Sequence, residues 1–263
     1  MGISFDVASL EKELKGKNLL SGLLFFEEIG STNDYAKNNV YDDDTLVLTD
    51  HQLSGRGRYS RVWESAKGEN LSFSLVKFFD INIDDLQLVN FYTSYIIFSS
   101  IKNLLPPDTA KGLCLKWPND ILLNGKKVCG VLIEIRNINS SRKKFIIGAG
   151  INVNFKELPS SVAEKATSLF IETGSEIGRE ELLSLIIREF YANLELVNDR
   201  DKLLSLWKEN FDFMGRSIKF KKSCDDDENP VEILDISNDG GLIVRMDDGT
   251  QRTYYSGEIS IIL

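Results

Sequence analysis

The pattern of apolar and polar positions indicates two helices. An apolar tract extends from Leu86 to Leu105 and is interrupted by polar residues such as Asn90 and Lys102. It therefore predicts a buried helix rather than a membrane span. A second helix is predicted between Glu180 and Asn198, where apolar side chains recur at helical spacing. These side chains are Leu182, Leu183, Ile186, Ile187, Phe190, Leu194 and Val197.

Runs of β-branched and aromatic residues predict strands at 46–49, 71–79, 128–135 and 145–153. The pair Asn124-Gly125 separates ILL from KKVCGVLIEI and is a strong hairpin signal, because both turn positions require positive φ. Helices and antiparallel strands therefore mix without a regular strand–helix alternation. This arrangement favours the α+β class, with a mixed sheet and helices.

The sequence changes character near Gly215. From there to the end it reads as short strands (SIKFK, VEILDI, LIVRM and RTYYS) separated by turn signals such as Asp248-Gly249. This spacing predicts a small β-barrel, so we divide the chain into domains at 1–214 and 215–263. The acidic run at 225–228 is interpreted as a solvated loop tip, because no pattern of metal ligands accompanies it.

Composition narrows the possible functions. A formal net charge of −9 and a pI near 4.9 argue against unaided binding to nucleic acid. A single histidine and three scattered cysteines argue against histidine-based metal sites, Ser-His-Asp catalysis and a disulfide framework. The N-terminus lacks the basic and apolar regions of a signal peptide, so we expect a cytoplasmic protein with no membrane association.

The most unusual segment is GRGRYSRVW, residues 55–63. It places Arg56, Arg58 and Arg61 close together beside two glycines that loosen the backbone. The planar fork of arginine suits two-point contact with a carboxylate or a phosphate. The segment thus predicts a loop that closes on an anion, and the alternative is a flexible basic surface loop.

A second candidate is KWPND, where Lys116 is expected at the end of a strand before a turn fixed by Pro118. Such a turn holds the lysine ammonium in one place. The alternative is that Asn119 and Asp120 simply cap the turn. Trp117 is expected in the core.

Two further segments are polar or rich in glycine. Ser31, Thr32 and Asn33 are good helix N-caps, and the same geometry turns hydroxyls and backbone N–H groups toward a polar ligand. The segment IGAGINVN, residues 147–154, lacks the third glycine of a dinucleotide fingerprint. The chain also contains no GxxxxGK[ST] phosphate loop, so any nucleotide is bound without either common motif.

In this order, the segments GSTN, HQLSGRGRYSRVW, KWPNDILLNGKKVCGVLIE and IGAGINVN resemble the catalytic core of biotin–protein ligases. The resemblance extends from about residue 25 to the end and includes the family's C-terminal β-domain from about residue 215. It implies a class II synthetase-like catalytic domain and an SH3-like barrel. Only about 25 residues precede the core, so we expect no DNA-binding winged helix.

The resemblance also implies individual contacts. Biotin contacts are implied for Ser31, Thr32, Asn33, Gln52, Arg56, Gly57, Arg58, Lys116 and Gly130. ATP contacts are implied for Arg58, Arg61, Trp63, Asp120, Lys127 and Asn152. In this interpretation Trp63 packs against adenine, while Lys116 and Arg58 are the catalytic candidates. Ser60 departs from the glycine that many relatives have there, which stiffens the loop without removing charge.

The function implied is two-step ligation with ATP and Mg²⁺. Biotin and ATP give biotinyl-AMP, and the biotinyl group passes to a lysine of an acceptor protein. The implied acceptor is the carboxyl carrier domain of a biotin-dependent carboxylase, and the enzyme is expected to be a monomer or homodimer. A lipoate or octanoate ligase and a non-catalytic biotin or adenylate sensor are the alternatives.

Overall fold

A larger sheet forms the centre of the computed structural model, which describes residues 5–17, 19–41, 44–79, 86–136, 142–222 and 229–261. Its strands are β1 (Gly22–Ile29), β2 (Thr45–Gln52), β3 (Asn70–Phe79), β4 (Leu113–Lys116), β5 (Asp120–Leu123), β6 (Lys126–Arg136) and β7 (Lys143–Asn152). They are ordered β1-β2-β3-β7-β6-β5-β4. β1 and β2 pair in parallel and the other neighbours pair antiparallel. The predicted α+β class with a mixed sheet is therefore confirmed.

Helices cover both faces of this sheet. They are α1 (Val7–Gly16), α2 (Thr32–Asn38), α3 (Leu86–Leu104), α4 (Pro107–Ala110), α5 (Leu169–Thr173), α6 (Arg179–Ala192) and α7 (Arg200–Glu209). On one face, α3, α6 and α7 build the main core, where Phe91 stacks on Trp207 with ring centroids 4.5 Å apart. On the other face, Ala36 of α2 packs in a small cluster with Val47, Val76 and Ile146.

The two predicted helices are present, but one prediction is wrong about its end. The tract at 86–105 forms α3, and no helix among the described residues is both long and apolar enough to cross a membrane. The helix predicted over 180–198 ends at Ala192, and residues 194–197 form a separate 3₁₀ turn. At the break, the Asn193 side chain donates to the backbone oxygen of Glu189 at 2.9 Å, so it competes for helical backbone groups.

The predicted hairpin is confirmed between β5 and β6. Asn124 and Gly125 have φ values of 51° and 78°, as a two-residue turn of this kind requires. The four predicted strand runs correspond to β2, β3, β6 and β7, although the run at 145–153 extends one residue past the end of β7. Lys116 is the last residue of β4, so its expected place at a strand end is confirmed.

The C-terminal residues form a separate antiparallel sheet. Its strands are β8 (Ser217–Lys221), β9 (Asn229–Ile236), β10 (Leu242–Met246), β11 (Gln251–Tyr254) and β12 (Glu258–Ile261), in the order β11-β10-β9-β8-β12. Five antiparallel strands of this length are consistent with an SH3-like domain. Trp117 is buried, as expected, and its indole Nε1 donates to the backbone oxygen of Gly240 at 3.1 Å, which joins the two sheets. The acidic run at 225–228 lies outside the described residues.

Candidate functional site

A single cavity gathers the predicted site residues. It has a volume of about 490 Å³, which is in the range of small-molecule sites, and lies where the two sheets meet. All the residues predicted as site residues line it: Ser31, Thr32, Asn33, Gln52, Arg56, Gly57, Arg58, Arg61, Trp63, Lys116, Asp120, Lys127, Gly130 and Asn152. Their individual ligand contacts remain predictions.

The start of α2 builds one end of the cavity from uncharged polar groups. Ser31 is the N-cap, and its hydroxyl accepts from the backbone N–H of Asp34 at 3.4 Å. The backbone N–H of Thr32 donates to Gln52 Oε1 at 2.9 Å, and the Ser74 hydroxyl donates to Asn33 Oδ1 at 2.6 Å. The capping interpretation and the cavity-lining interpretation therefore both hold for this segment. We call this region the polar end of the cavity.

Glu134 of β6 fixes the outer side of the polar end. It accepts hydrogen bonds from Asn33 Nδ2 at 3.2 Å, from Lys37 Nζ at 3.1 Å and from the Arg56 guanidinium at 3.3 Å. Arg56 also makes a two-point contact with Asp34. Two carboxylates thus hold Arg56 against α2, and its positive charge is largely balanced within the protein.

Glycines on β6 and β7 form the floor of the cavity. Gly130 and Gly150 are direct partners across these strands. The ring of Trp63 lies over them so closely that a Cβ at Gly150 would stand 2.3 Å from its Cε2. Lys127 Nζ lies 5.5 Å from the centroid of the Trp63 ring. The Trp63 Nε1 atom is buried and has no hydrogen-bond partner among the described residues.

The hairpin of β4 and β5 places opposite charges beside the floor. Lys116 faces Asp120 across the hairpin, and Asp120 forms an ion pair with Lys127 at 2.6 Å. Burial lowers the pKa of the Lys116 ammonium, and the nearby charge of Asp120 offsets part of that effect. Among the described residues, no hydrogen bond or ion pair engages the Lys116 ammonium. A buried ammonium without a partner of this kind is suited to binding an anionic ligand.

The contacts of Asn119 differ from those of the predicted turn cap. Its Nδ2 donates across the sheet to the backbone oxygen of Val131, and its Oδ1 accepts from Arg58 at 3.3 Å. Asn119 therefore connects the KWPND turn to both β6 and the arginine loop. It was missed as a site residue because those partners are remote in sequence.

The segment at 55–63 forms a hydrogen-bonded turn that we call the arginine loop. Gly57 N–H donates to the Arg61 oxygen at 2.7 Å, and Trp63 N–H donates to the Gly55 oxygen at 2.9 Å. A Cβ at Gly55 would lie 2.6 Å from the Trp63 oxygen, so this glycine allows close backbone approach. The sequence predicted only that the two glycines loosen the loop. In the structure Gly55 is also required for close packing against Trp63.

The C-terminal sheet engages the arginine loop, which sequence reasoning missed. The Arg61 guanidinium makes a two-point contact with the Glu258 carboxylate, with one distance of 2.6 Å. Arg58 donates to the backbone oxygen of Gly257 at 3.4 Å. Burial disfavours the ionised form of Glu258, but the hydrogen bond and charge of Arg61 outweigh it and hold the pKa of that carboxyl below its ordinary value. Gly257 and Glu258 also line the cavity.

Asn152 lines the cavity while supporting its wall. Its Nδ2 donates to the backbone oxygen of Thr167 at 3.0 Å, and its Oδ1 accepts from Asn70 at 3.3 Å. The described residues contain no cluster of three or more His, Cys, Asp or Glu side chains suited to a metal. Asp120 is a carboxylate in the cavity, and this donor set fits Mg²⁺ held mainly by phosphate oxygens and water.

Comparison with known proteins identifies the family. Residues 25–152 match the model of the Biotin/lipoate A/B protein ligase family, and residues 213–261 match that of the Biotin protein ligase C terminal domain. The biotin–[acetyl-CoA-carboxylase] ligase of Paracoccus denitrificans is 31% identical over 211 residues, which cover 78% of this chain and 85% of the relative. The chain belongs to the biotin–protein ligase family.

Other members of the biotin–protein ligase family agree with this assignment. The bifunctional ligase/repressor BirA of Escherichia coli is 29% identical over 237 residues, which cover 89% of this chain and 72% of the relative. The structure of the biotin protein ligase from Aquifex aeolicus in complex with biotin and ATP superposes with a TM-score of 0.73 at 27% identity. That match covers 92% of this chain and 98% of the other. As a family member, this chain is a ligase enzyme.

Proposed function

We propose that this ligase attaches biotin to a lysine of an acceptor protein through a biotinyl-5′-AMP intermediate. The observation that carries the proposal is the division of one cavity into two parts. The polar end contains uncharged hydroxyl and amide groups, and the other part contains cations. The cationic residues are Arg58, Arg61, Lys116 and Lys127. We call this second part the cationic end.

The polar end fits the ureido ring of biotin. That ring is uncharged and presents two N–H donors and one carbonyl acceptor. Burying it without partners would be costly, because each unsatisfied polar group loses ~1–3 kcal/mol. Ser31, Thr32, Asn33 and Gln52 supply both donors and acceptors. A lipoyl or octanoyl chain has no polar ring to use them, which is why biotin is the favoured acid.

The cationic end supports the first step. The biotin carboxylate attacks the α-phosphorus of ATP, a P–O bond forms, and pyrophosphate leaves with the electron pair of the broken bond. Two anions must approach each other, so the barrier depends on positioning and charge neutralisation. Lys116 and Arg58 would meet these anions, and Arg61 would exchange Glu258 for phosphate. Mg²⁺ bound near Asp120 would neutralise further phosphate charge.

The second step needs no nucleophile from the enzyme. The lysine amine of the acceptor attacks the acyl carbon of biotinyl-AMP, loses a proton, and AMP leaves. The adenylate is already activated, so orientation and exclusion of water are the main requirements. This agrees with a chain that has one histidine.

We propose a biotin carboxyl carrier domain as the acceptor, since relatives of this chain are named biotin–[acetyl-CoA-carboxylase] ligases. We also expect a monomer or homodimer in the cytoplasm.

Pyrophosphate exchange into ATP tests the proposal. Biotin, lipoate and octanoate are supplied separately, and a reaction without acid is the control. We expect exchange with biotin alone, because only biotin matches the polar end. Equal or faster exchange with lipoate would instead identify a lipoate ligase, and biotin binding without exchange would identify a sensor.

A further inference from the structure

Helix α2 is seven residues long, and its first turn supplies part of the polar end. A helix this short depends on its surroundings, because isolated helices below ~12 residues are marginal in water. Ser31, Thr32 and Asn33 reach the cavity only when α2 is held in the correct register against the sheet. The contacts that hold α2 therefore bear on ligand recognition.

Strand β7 contacts α2 from one end of the helix to the other. Side chains alternate along a strand, so Lys144, Ile146 and Gly148 face the same side. Gly148 lies beneath Asn33, where a Cβ would stand 2.1 Å from Asn33 Oδ1. Ile146 belongs to the same small buried cluster as Ala36. Lys144 lies beneath the C-terminal end of the helix.

The Lys144 ammonium binds the carbonyls that end α2. Its Nζ donates to the backbone oxygens of Ala36 and Asn39, both at 2.8 Å, and lies 4.7 Å from the centroid of the Tyr41 ring. The last carbonyls of a helix lack partners within the helix and carry the negative end of its dipole. An ammonium supplies three donors and a positive charge, so it matches this helix end.

The burial of Lys144 shows that this contact is specific. The residue is only 6% exposed, and no carboxylate among the described residues pairs with it. A buried lysine without a carboxylate is costly unless its donors are used. Here carbonyl oxygens of the α2 end take up two of the three donors. An apolar residue would fill the space but would leave these carbonyls unbonded.

We propose that Lys144 is a positioning residue for biotin recognition, acting through α2. By binding the C-terminal carbonyls, it sets the register of the helix along β7 and thereby the position of Ser31, Thr32 and Asn33. Lys144 is absent from the cavity lining, so it acts without touching the ligand. The inference rests on the proposed function, since biotin is the ligand expected at the polar end.

The test is Lys144→Met, which keeps the length and apolar stem of the side chain but removes its donors. Losing this helix anchor should raise both the KM and the calorimetric Kd for biotin about tenfold, the effect of roughly one hydrogen bond. The KM for ATP and the kcat at saturating biotin should change less than the biotin KM, since α2 is joined to the arginine loop through Asp34 and Arg56 rather than through the cationic residues.

Two variants on the opposite face of β7 are matched controls. Lys143→Met removes a neighbouring charge, and Phe145→Leu weakens the core, where Phe145 is fully buried. Both should leave the biotin KM within about twofold, although Phe145→Leu should lower the Tm. A biotin KM that rises equally in Phe145→Leu and Lys144→Met would overturn the proposal, because general destabilisation would then explain the effect.

Lys144→Gln keeps N–H donors without the charge, so its biotin KM should rise less, by about threefold. It replaces Lys144→Met if that variant does not fold. An unchanged biotin KM and Kd in the folded variant would overturn the positioning role. A wild-type protein without biotin-dependent exchange would overturn the proposed function instead, so the two failures are distinguishable.

Discussion

Lys116 is a cation whose surroundings favour loss of its proton. It lies partly buried at the end of β4, and burial lowers its pKa from the ordinary value of 10.5. The proposed chemistry needs the protonated form, because an ammonium attracts the biotin carboxylate and the developing phosphate charge. Activity that depends on Lys116 should therefore decline as the pH rises through the lowered pKa.

Lys116→Ala and Lys116→Arg test this dependence. The alanine variant should lose ~1.5–3 kcal/mol of transition-state stabilisation, or about ten- to a hundredfold in kcat/KM for biotin. In wild type, kcat/KM should fall on the alkaline side below pH 10.5. In the arginine variant that fall should move upward, since guanidinium keeps its proton. Unchanged kinetics of Lys116→Ala at low biotin would reduce Lys116 to a structural residue.

Residues differ in how far the sequence predicts their part in the site. Lys116 could be placed because a strand end and a proline follow from local pattern. Glu258 could not, because its contact with Arg61 joins residues 197 positions apart. Glu134 likewise looks like one polar position in an apolar strand until Asn33, Lys37 and Arg56 meet around it. Long-range contacts of this kind have no local signal.

At the scale of the elements, α2 packs so closely on β7 that position 148 has no room for a side chain. Gly148→Ala would place a Cβ 2.1 Å from Asn33 Oδ1, so α2 or its asparagine must shift. We expect biotin affinity to fall at least about tenfold, because the displaced Asn33 can no longer hydrogen-bond the ligand as before. Calorimetric titration with biotin measures the effect. Gly178→Ala is the control, since its nearest atom to an added Cβ lies 3.5 Å away, and wild-type affinity in Gly148→Ala would contradict the prediction.

We expect the arginine loop to affect the retention of biotinyl-AMP more than its formation. In this structure Arg58 contacts Asn119 and Gly257, which join the loop to both sheets. Arg58→Gly removes these contacts and adds a flexible residue, so the open loop is favoured. Adenylation should continue more slowly. A loss of about 2 kcal/mol in the binding free energy of biotinyl-AMP should raise its release rate about thirtyfold.

Released biotinyl-AMP would acylate lysines on proteins other than the acceptor. The measurement mixes Arg58→Gly enzyme, biotin, ATP and a bystander protein, then quantifies biotin on the bystander and free adenylate. Wild type treated identically is the control. If the variant labels the bystander no more than wild type does while the adenylate stays bound, the proposed retention by Arg58 is incorrect.

Local patterns predicted several elements, and tertiary contacts decided the rest. The turn at Asn124-Gly125 was predictable because two positive φ angles need these residue types. The break after Ala192 was not, since apolar spacing continues to Val197 and a side-chain bond of Asn193 interrupts the helix. β12 is four residues long and pairs only with β8 among the described strands, so little in its own sequence marks it.

For the whole molecule, net charge bears on whether the chain binds DNA. Some relatives are named bifunctional ligase/repressors, but this chain has a net charge of −9. We expect no sequence-specific binding to duplex DNA, with or without biotin, because phosphate contacts require a basic surface. Electrophoretic mobility at increasing salt checks this, with scrambled DNA as the control. A salt-resistant shift that depends on the DNA sequence would reveal a binding surface.

The placement of the three tryptophans gives the protein an internal optical reporter. Trp207 is 0% exposed, donates to Ser94 and is absent from the cavity lining, so its emission should be insensitive to ligands. Trp117 is 1% exposed and donates to Gly240, but it lines the cavity and contributes a smaller ligand-dependent signal. Trp63 instead lies on the glycine floor at the end of the arginine loop, with a buried N–H that has no partner among the described residues. Ligand that displaces or covers this ring should shift the fluorescence, and Trp63→Phe should remove most of the shift and leave only the part from Trp117.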